Sequence, residues 1–170
     1  LLHEGVLYVA DTENHAVRAV DIAGGKVRTI AGTGEQGYDR QGGGFSPMTA
    51  LSSPWDLAWH DEWLYIAMAG THQIWAMDPR IHKIIAWAGD GSERRLDHPR
   101  KGEAAFAQPS GLATDGKRLY LADSESSSIR SVSLGSGRVD THVGGSSEPR
   151  DLFAFGDVDG QGFEARLQHP

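Results

Sequence analysis

A 28-residue segment that recurs three times constrains the fold of this chain more than any other feature. The copies align without a gap and span Leu7–Gly34, Leu64–Gly91 and Leu119–Ser146. The leucines that begin them are separated by steps of 57 and 55 residues. A repeat with a period near this length predicts a solenoid or a propeller.

The pattern inside each copy favours the propeller. In the first copy the run LYVAD is short, rich in β-forming residues and bounded by turn-forming residues, AVRAVD alternates between apolar and polar residues, and KVRTIAG follows. Such runs predict half-buried strands joined by tight turns. A further strand is predicted after Pro54 and Pro109, each ten residues before the next leucine. Four antiparallel strands per period describe one propeller blade, and no stretch shows helical periodicity, so the predicted fold class is all-β.

Several strings of residues resemble a known family. YVADTENHAVRAVD and PSGLATD resemble the NHL repeat. The strings SSPWD, IAMAGTHQIWA, FAQPSGL, ADSESSSIR and LFAFGDVDG are similar to the propeller segment of NHL-repeat proteins that carry a thioredoxin-like domain. The resemblance covers nearly the whole chain and implies a six-bladed β-propeller. This chain would then supply three four-stranded NHL-type blades, which is half of such a propeller.

The repeat also predicts the blade boundaries within a single partial propeller, 1–170. We place the blades at about 1–34, 54–91 and 109–146, with the start of a next blade at 166–170. Blade two departs from the pattern, because Met68 stands where the other blades have Asp11 and Asp123. The connection from Gly32 to Thr49 is rich in glycine and is predicted to be flexible.

Composition argues against several classes of function. The net charge is −7 and no basic run is present, which disfavours nucleic-acid binding. The absence of cysteine excludes disulfides and thiol chemistry within these residues. No apolar window approaches 18 residues, so no contact with a membrane is predicted. We expect no cofactor and a cytoplasmic location.

The candidate binding residues follow from the geometry of a propeller. The loop between the second and third strands of a blade lies on the same face as the connection that enters the first strand, and the resemblance implies that this face binds ligands around a central channel. The candidates there are Asp11, Asn14, His15, Trp55, Asp56, Thr71, His72, Asp123 and Glu125, with Gln108, Ser126, Gln168 and His169 beside them. The competing interpretation is that the aspartates cap their own turns and the histidines are hydrogen-bonded loop residues.

Two classes of function remain open at this point. The first is a non-enzymatic scaffold that binds a protein or peptide, including a thioredoxin-like domain of the same parent protein. The alternative is a six-bladed hydrolase or lyase with a metal ion in the channel. The motifs do not decide between them: DVDG at 157–160 lacks the later ligands of a calcium loop, and GTGEQG at 32–37 does not open a helix.

The spacing at the two ends of the chain predicts a homodimer. If Leu1 of one chain followed Pro170 of another, the spacing from Pro170 to Leu7 would be seven residues rather than ten. The ends therefore match in register with three residues missing, and two chains joined head to tail would complete six blades. The rival interpretation is that these residues are one piece of a longer chain that closes its own ring.

Overall fold

The computed structural model describes residues 1–170 and contains three antiparallel sheets, which confirms the predicted all-β half propeller. Blade one contains β1 (Leu2–His3), β2 (Val6–Asp11), β3 (Ala16–Asp21) and β4 (Lys26–Ala31). Blade two contains β5 (Gly43–Phe45), β6 (Pro54–His60), β7 (Trp63–Met68), β8 (Gln73–Asp78) and β9 (Lys83–Ala88). Blade three contains β10 (Pro109–Thr114), β11 (Arg118–Asp123), β12 (Ser128–Ser133) and β13 (Val139–Gly144).

Short 3-10 turns are the only helical elements, at Thr12–Asn14, Ser46–Met48, Ala69–Thr71 and Gly162–Glu164. In every blade the four repeat strands pair in the order in which the chain visits them. The structure contains no helix with the length and hydropathy needed to cross a bilayer.

Blade two has a fifth strand that the sequence did not indicate. Gly43–Phe45 pairs antiparallel with β9, although the connection that contains it was predicted to be flexible. A Cβ on Gly43 would lie 2.7 Å from the carbonyl oxygen of Ile84. Glycine is therefore required here, because only a residue without a side chain allows the two backbones to approach so closely.

The blades are held together by apolar side chains on opposite faces of each sheet. One face of a blade carries the repeat tyrosine, as in Tyr8 and Tyr65, and we call it the tyrosine face. The other carries the repeat leucine, as in Leu64 and Leu119, and we call it the leucine face. The tyrosine face of blade one packs against the leucine face of blade two, and that of blade two packs against the leucine face of blade three.

Residues from the connections complete these two clusters. Leu51 and Phe106, each three residues before a blade proline, are fully buried in the first and second cluster respectively. Leu167 occupies the corresponding position before Pro170 and is half-buried. Each connection thus places one large apolar side chain beneath it.

Candidate functional site

The face predicted to bind ligands carries the loops between the second and third strands and the connections between blades. We call it the connection face and define its loops as 12–15, 69–72 and 124–127. In blades one and two, a 3-10 turn is followed by a histidine in the left-handed conformation, His15 at φ 46° and His72 at φ 55°. The sharp reversal directs each loop toward the chain that leads into the next blade.

The two histidines connect successive blades. His15 Nδ1 accepts a hydrogen bond from the backbone N–H of Ser53 at 3.0 Å, and His72 Nδ1 accepts one from Gln108 at 3.3 Å. Both donors immediately precede the proline that begins the next blade. The third equivalent position is Ser127, whose buried hydroxyl has no hydrogen-bond partner. His15 and His72 therefore stabilise the junctions between blades.

Burial favours the neutral form of the His72 ring, which is the form that can accept the hydrogen bond from Gln108. Desolvation lowers the pKa of His72 below its ordinary value. The negative charge of Glu93 opposes this shift, and the positive charge of Arg40 adds to it by a smaller amount. A neutral ring leaves Nδ1 free to accept the Gln108 N–H, with the proton on Nε2. The imidazole thus acts as a hydrogen-bond acceptor in the resting protein.

Asp123 is a buried structural carboxylate rather than an accessible one. It is 0% exposed and pairs with Arg130, also 0% exposed, at 2.9 Å. It also accepts hydrogen bonds from the backbone N–H of Ala107 at 2.7 Å and from the hydroxyl of Ser126 at 2.8 Å. Both oxygens of the carboxylate are therefore engaged by the blade and its connection.

Asp11 occupies the same repeat position in blade one but lies in a more open environment. Its carboxylate accepts hydrogen bonds from Asn14 and from Arg18, both at 2.9 Å. These two hydrogen bonds, the one from Asn14 first, lower the pKa of Asp11. Asp11 and Asn14 thus bond to each other through their side chains, whereas no side-chain hydrogen bond caps the backbone of this 3-10 turn.

Blade two replaces this pair of charges with Met68 and Trp75. The Met68 sulfur accepts the backbone N–H of Ser52 at 3.2 Å, which is the bond that Asp123 makes to Ala107 in blade three. A thioether cannot also satisfy the neighbouring hydroxyl, and the buried hydroxyl of Thr71 has no partner. Thr71 is therefore an internal residue whose hydroxyl lacks the carboxylate acceptor that Asp123 provides in blade three.

This difference predicts opposite effects at two equivalent positions. Thr71→Val should leave the free energy of unfolding unchanged or raise it by up to about 1 kcal/mol, because it removes an unsatisfied buried hydroxyl. Ser126→Ala should lower it by about 1–2 kcal/mol, because the Asp123 carboxylate loses a donor. Urea denaturation of the two variants measures both values, and a loss at Thr71 equal to that at Ser126 would contradict the assignment.

Trp55 and Asp56 lie at a bulge that begins the innermost strand of blade two. The register steps from Pro54 to Asp56 against β7, so Trp55 is the extra residue of the bulge and remains 43% exposed. Asp56 is turned inward, where its Oδ2 accepts the backbone N–H of Leu112 at 2.7 Å. Asp56 thus joins the innermost strands of blades two and three, while Trp55 faces solvent.

The equivalent bulge in blade three interacts with the end of the chain. Ser110 and Ser124 both donate a hydroxyl hydrogen bond to the carbonyl of Pro170, at 2.9 and 2.8 Å. Thr12, which occupies the position of Ser124 in blade one, donates to the carbonyl of Pro54 in the same way. In this region Glu125 Oε1 lies 3.6 Å from His169 Nε2, and the Glu125 side chain remains partly accessible.

The predicted site residues therefore fall into two groups. Asn14, Trp55 and Glu125 keep exposed or partly exposed side chains, whereas Thr71 and Asp123 are internal. Asp11, His15, Asp56 and His72 lie between these extremes and are engaged in the hydrogen bonds given above. No group of three or more His, Cys, Asp or Glu side chains is arranged to hold a metal ion.

The sequence analysis missed a polar cavity on the same face. A cavity of about 660 Å³ is lined by Arg40, Asp90, Ser92, Glu93, Arg94 and Arg150. Its three arginines come from three different connections, so no local motif marks it. The one signal in the sequence is that each connection carries an arginine a few residues after its glycines.

Comparison with known proteins agrees with the repeat and the fold. The chain is 46% identical over 188 residues to NHL repeat-containing protein 2 of Bos taurus and 44% identical to that of Homo sapiens, with 97% of the chain covered in each case. It is 46% identical over 172 residues to Protein SUPPRESSOR OF QUENCHING 1, chloroplastic, of Arabidopsis thaliana, with 98% of the chain covered. The chain spans only 26% of the length of the first two relatives and 16% of the third. No family model matches the chain.

Solved structures share the fold at low sequence identity. An auxiliary nutrient binding protein from Bacteroides ovatus superposes with a TM-score of 0.68 at 19% identity, covering 99% of this chain and 40% of its own. A protein from Bacteroides thetaiotaomicron superposes with a TM-score of 0.71 at 20% identity, covering 98% of this chain and 38% of its own. These structures support the propeller fold. The 46% and 44% identity to NHL repeat-containing protein 2 of the two mammals, together with the three repeats, shows that the chain belongs to the NHL-repeat β-propeller family.

Proposed function

We propose that this β-propeller scaffold is a non-enzymatic module that binds a protein or peptide through its connection face, with Trp55 as the main anchor. The observation that supports the proposal most directly is the bulge at the start of β6. A bulge redirects the side chain of the extra residue, and such features are concentrated beside functional sites. Here the redirected side chain is a tryptophan that keeps 43% of its surface exposed.

The surroundings of Trp55 are suited to an anchor residue. The preceding residue, Pro54, is buried, and the following residue, Asp56, is fixed by its bond to blade three. The backbone that carries the indole is therefore held from both sides, so little conformational entropy would be lost on binding. Tryptophan is among the residues that contribute most to binding energy when a partner covers them.

The partner we propose is a folded domain or an extended peptide, and a thioredoxin-like domain of the same parent protein is one such candidate. Polar groups elsewhere on the connection face suit the rim of a protein interface, which is wetter than its centre. Asn14 and Glu125 are accessible polar residues of the connection loops in blades one and three. They would contribute to specificity more than to affinity, because exposed charged and polar contacts are weak.

The proposal predicts a large effect of Trp55→Ala on binding and a small one on stability. Peptides selected by phage display against the whole protein should lose about 2 kcal/mol of binding free energy, or about thirtyfold in affinity, when Trp55 is replaced. Titration calorimetry measures the affinity, and thermal unfolding checks the fold.

Ile81→Ala is the matched control, because Ile81 is 63% exposed in the turn between β8 and β9, on the opposite face. This variant should bind the selected peptides as the unaltered protein does. Equal binding by the Trp55 variant would count against the anchor, and a steep drop in its melting temperature would show that the indole supports the core instead.

A further inference from the structure

We propose that the arginine cavity, lined by the six residues Arg40, Asp90, Ser92, Glu93, Arg94 and Arg150, binds an oxyanion such as a carboxylate or a phosphate group. This site is separate from the Trp55 anchor and does not depend on the function proposed for it. The argument rests on the positions of the three guanidinium groups, on their pairing and on the local charge.

Arg40 is positioned by packing and by a buried amide. The Nε2 group of Gln73, itself fully buried, donates hydrogen bonds to the carbonyl of Arg40 at 2.9 Å and to that of Gly89 at 3.0 Å. One side chain thus ties the connections of blades one and two together. The aliphatic stem of Arg40 lies directly over Gly91, where any added Cβ would collide with it. The held backbone and the packed stem of Arg40 therefore place its guanidinium at the cavity.

Arg94 is oriented by its own loop. Its Nη2 donates to Asp90 Oδ2 at 2.6 Å and its Nε donates to the hydroxyl of Ser92 at 2.8 Å. Asp90 in turn accepts the backbone N–H and the hydroxyl of Ser92, so the loop is closed on itself. The remaining amino group, Nη1, has no protein partner among the hydrogen bonds of the structure and is available to a ligand.

Arg150 is brought to the cavity by the third connection. The backbone N–H of Arg95 donates to the carbonyl of Pro149 at 2.9 Å, which attaches that connection beside Arg94. Arg150 follows at once and, like Arg40, makes no ion pair with any carboxylate of the chain. Two unpaired guanidinium groups therefore line the same cavity as a third that is partly paired.

The local charge favours an anion of modest charge. Three arginines and two carboxylates give the lining a net charge of +1, in a chain whose overall charge is −7. The charge of Asp90 is offset by Arg94, whereas Glu93 accepts only a long hydrogen bond of 3.4 Å from Gln108. Planar guanidinium groups match carboxylate and phosphate oxygens in a bidentate manner, which is why the ligand we assign is an oxyanion.

Titration calorimetry of the whole protein at constant ionic strength, with inorganic phosphate and with succinate as separate probes, tests the proposal. Binding of succinate alone would identify a carboxylate site, and binding of phosphate alone a phosphate site. Arg40→Gln and Arg150→Gln should each weaken the binding about tenfold or more, because each removes charge-assisted hydrogen bonds. Glu93→Gln should strengthen the binding at least about twofold, because it removes a negative charge that repels the anionic probe.

Arg28→Gln is the matched control for the loss of one positive charge. Arg28 is exposed on β4 and does not line the cavity. The control should change the affinity little if the ligand is bound by the cavity. The proposal fails if neither probe binds, if Arg28→Gln weakens binding as much as Arg40→Gln, or if Glu93→Gln leaves the affinity unchanged.

Discussion

Replacing Asp123 with alanine is expected to lower the free energy of unfolding by about 3–5 kcal/mol. The change leaves Arg130 buried without its internal partner and with only Asp97, which is 36% exposed, as a counter-charge. It also removes the acceptor of the Ala107 N–H and of the Ser126 hydroxyl. The loss of the buried partner of a fully buried charge is among the few causes of destabilisation of this size.

The repeat supplies a matched control for this prediction. Asp11→Ala changes the same repeat position in blade one, where the side chains of Asp11 and Arg18 are 29% and 30% exposed. Solvent screens this pair, so its loss should cost no more than about 1 kcal/mol. Guanidinium denaturation of the two variants gives both values. Similar losses at both positions would show that burial does not set the energy of the pair.

The two aspartates also show what the sequence could and could not reveal. The repeat alignment places Asp11 and Asp123 at one position and Arg18 and Arg130 at another. The recurrence of the same two charged residues in both blades was therefore available from the alignment. The difference in burial was not, because it depends on the connection that brings Phe106 and Ala107 over blade three.

Strands were predictable because their signal is local. The short β-rich run LYIAM of blade two predicted a strand at Leu64–Met68, and the structure has one at Trp63–Met68. The glycine-rich strand β5 carries no such signal. It forms because the outer edge of β9 offers unpaired backbone groups, and an edge of this kind is a property of the folded sheet rather than of the segment that joins it.

The functional candidates were harder to predict, because their roles arise between blades. His15 and His72 were recognised as loop histidines, but their partners are 38 and 36 residues away in the chain. The arginine cavity collects residues from three connections of different lengths, so the repeat period does not align them. Trp55 was the exception, because a large aromatic residue after the blade proline departs visibly from PSG in blade three.

The chain of residues 1–170 is expected to associate head to tail, with a measured mass twice its own 18.4 kDa. We propose this dimer from the two faces that no blade of the chain covers. Blade one presents a leucine face with Leu7 and Val9 half-buried, and blade three presents a tyrosine face with Tyr120, Ala122 and Ile129 half-buried. The equivalent residues pack against each other at both junctions inside the chain.

The same repeat positions thus provide complementary surfaces at the two ends, and the cavity of about 340 Å³ beside Tyr120 and Ile129 is mostly apolar. Two copies related by a two-fold axis would cover both pairs of faces and leave no sheet unpacked. Light scattering on residues 1–170 measures the mass. Ala122→Arg, which places a charge in the tyrosine face, should halve it, whereas Ile81→Arg on an exposed turn should not.

A folded monomer at micromolar concentration would refute the dimer. A chain that aggregates or stays unfolded, and becomes folded only within a longer protein, would refute it as well, because the two faces would then be covered by further blades of the same polypeptide. Both results differ from a folded dimer, and the measured mass together with the folded state distinguishes all three outcomes. The physical basis of the proposal is that an uncovered apolar blade face is buried by some partner, and a second copy of the chain offers the complementary face.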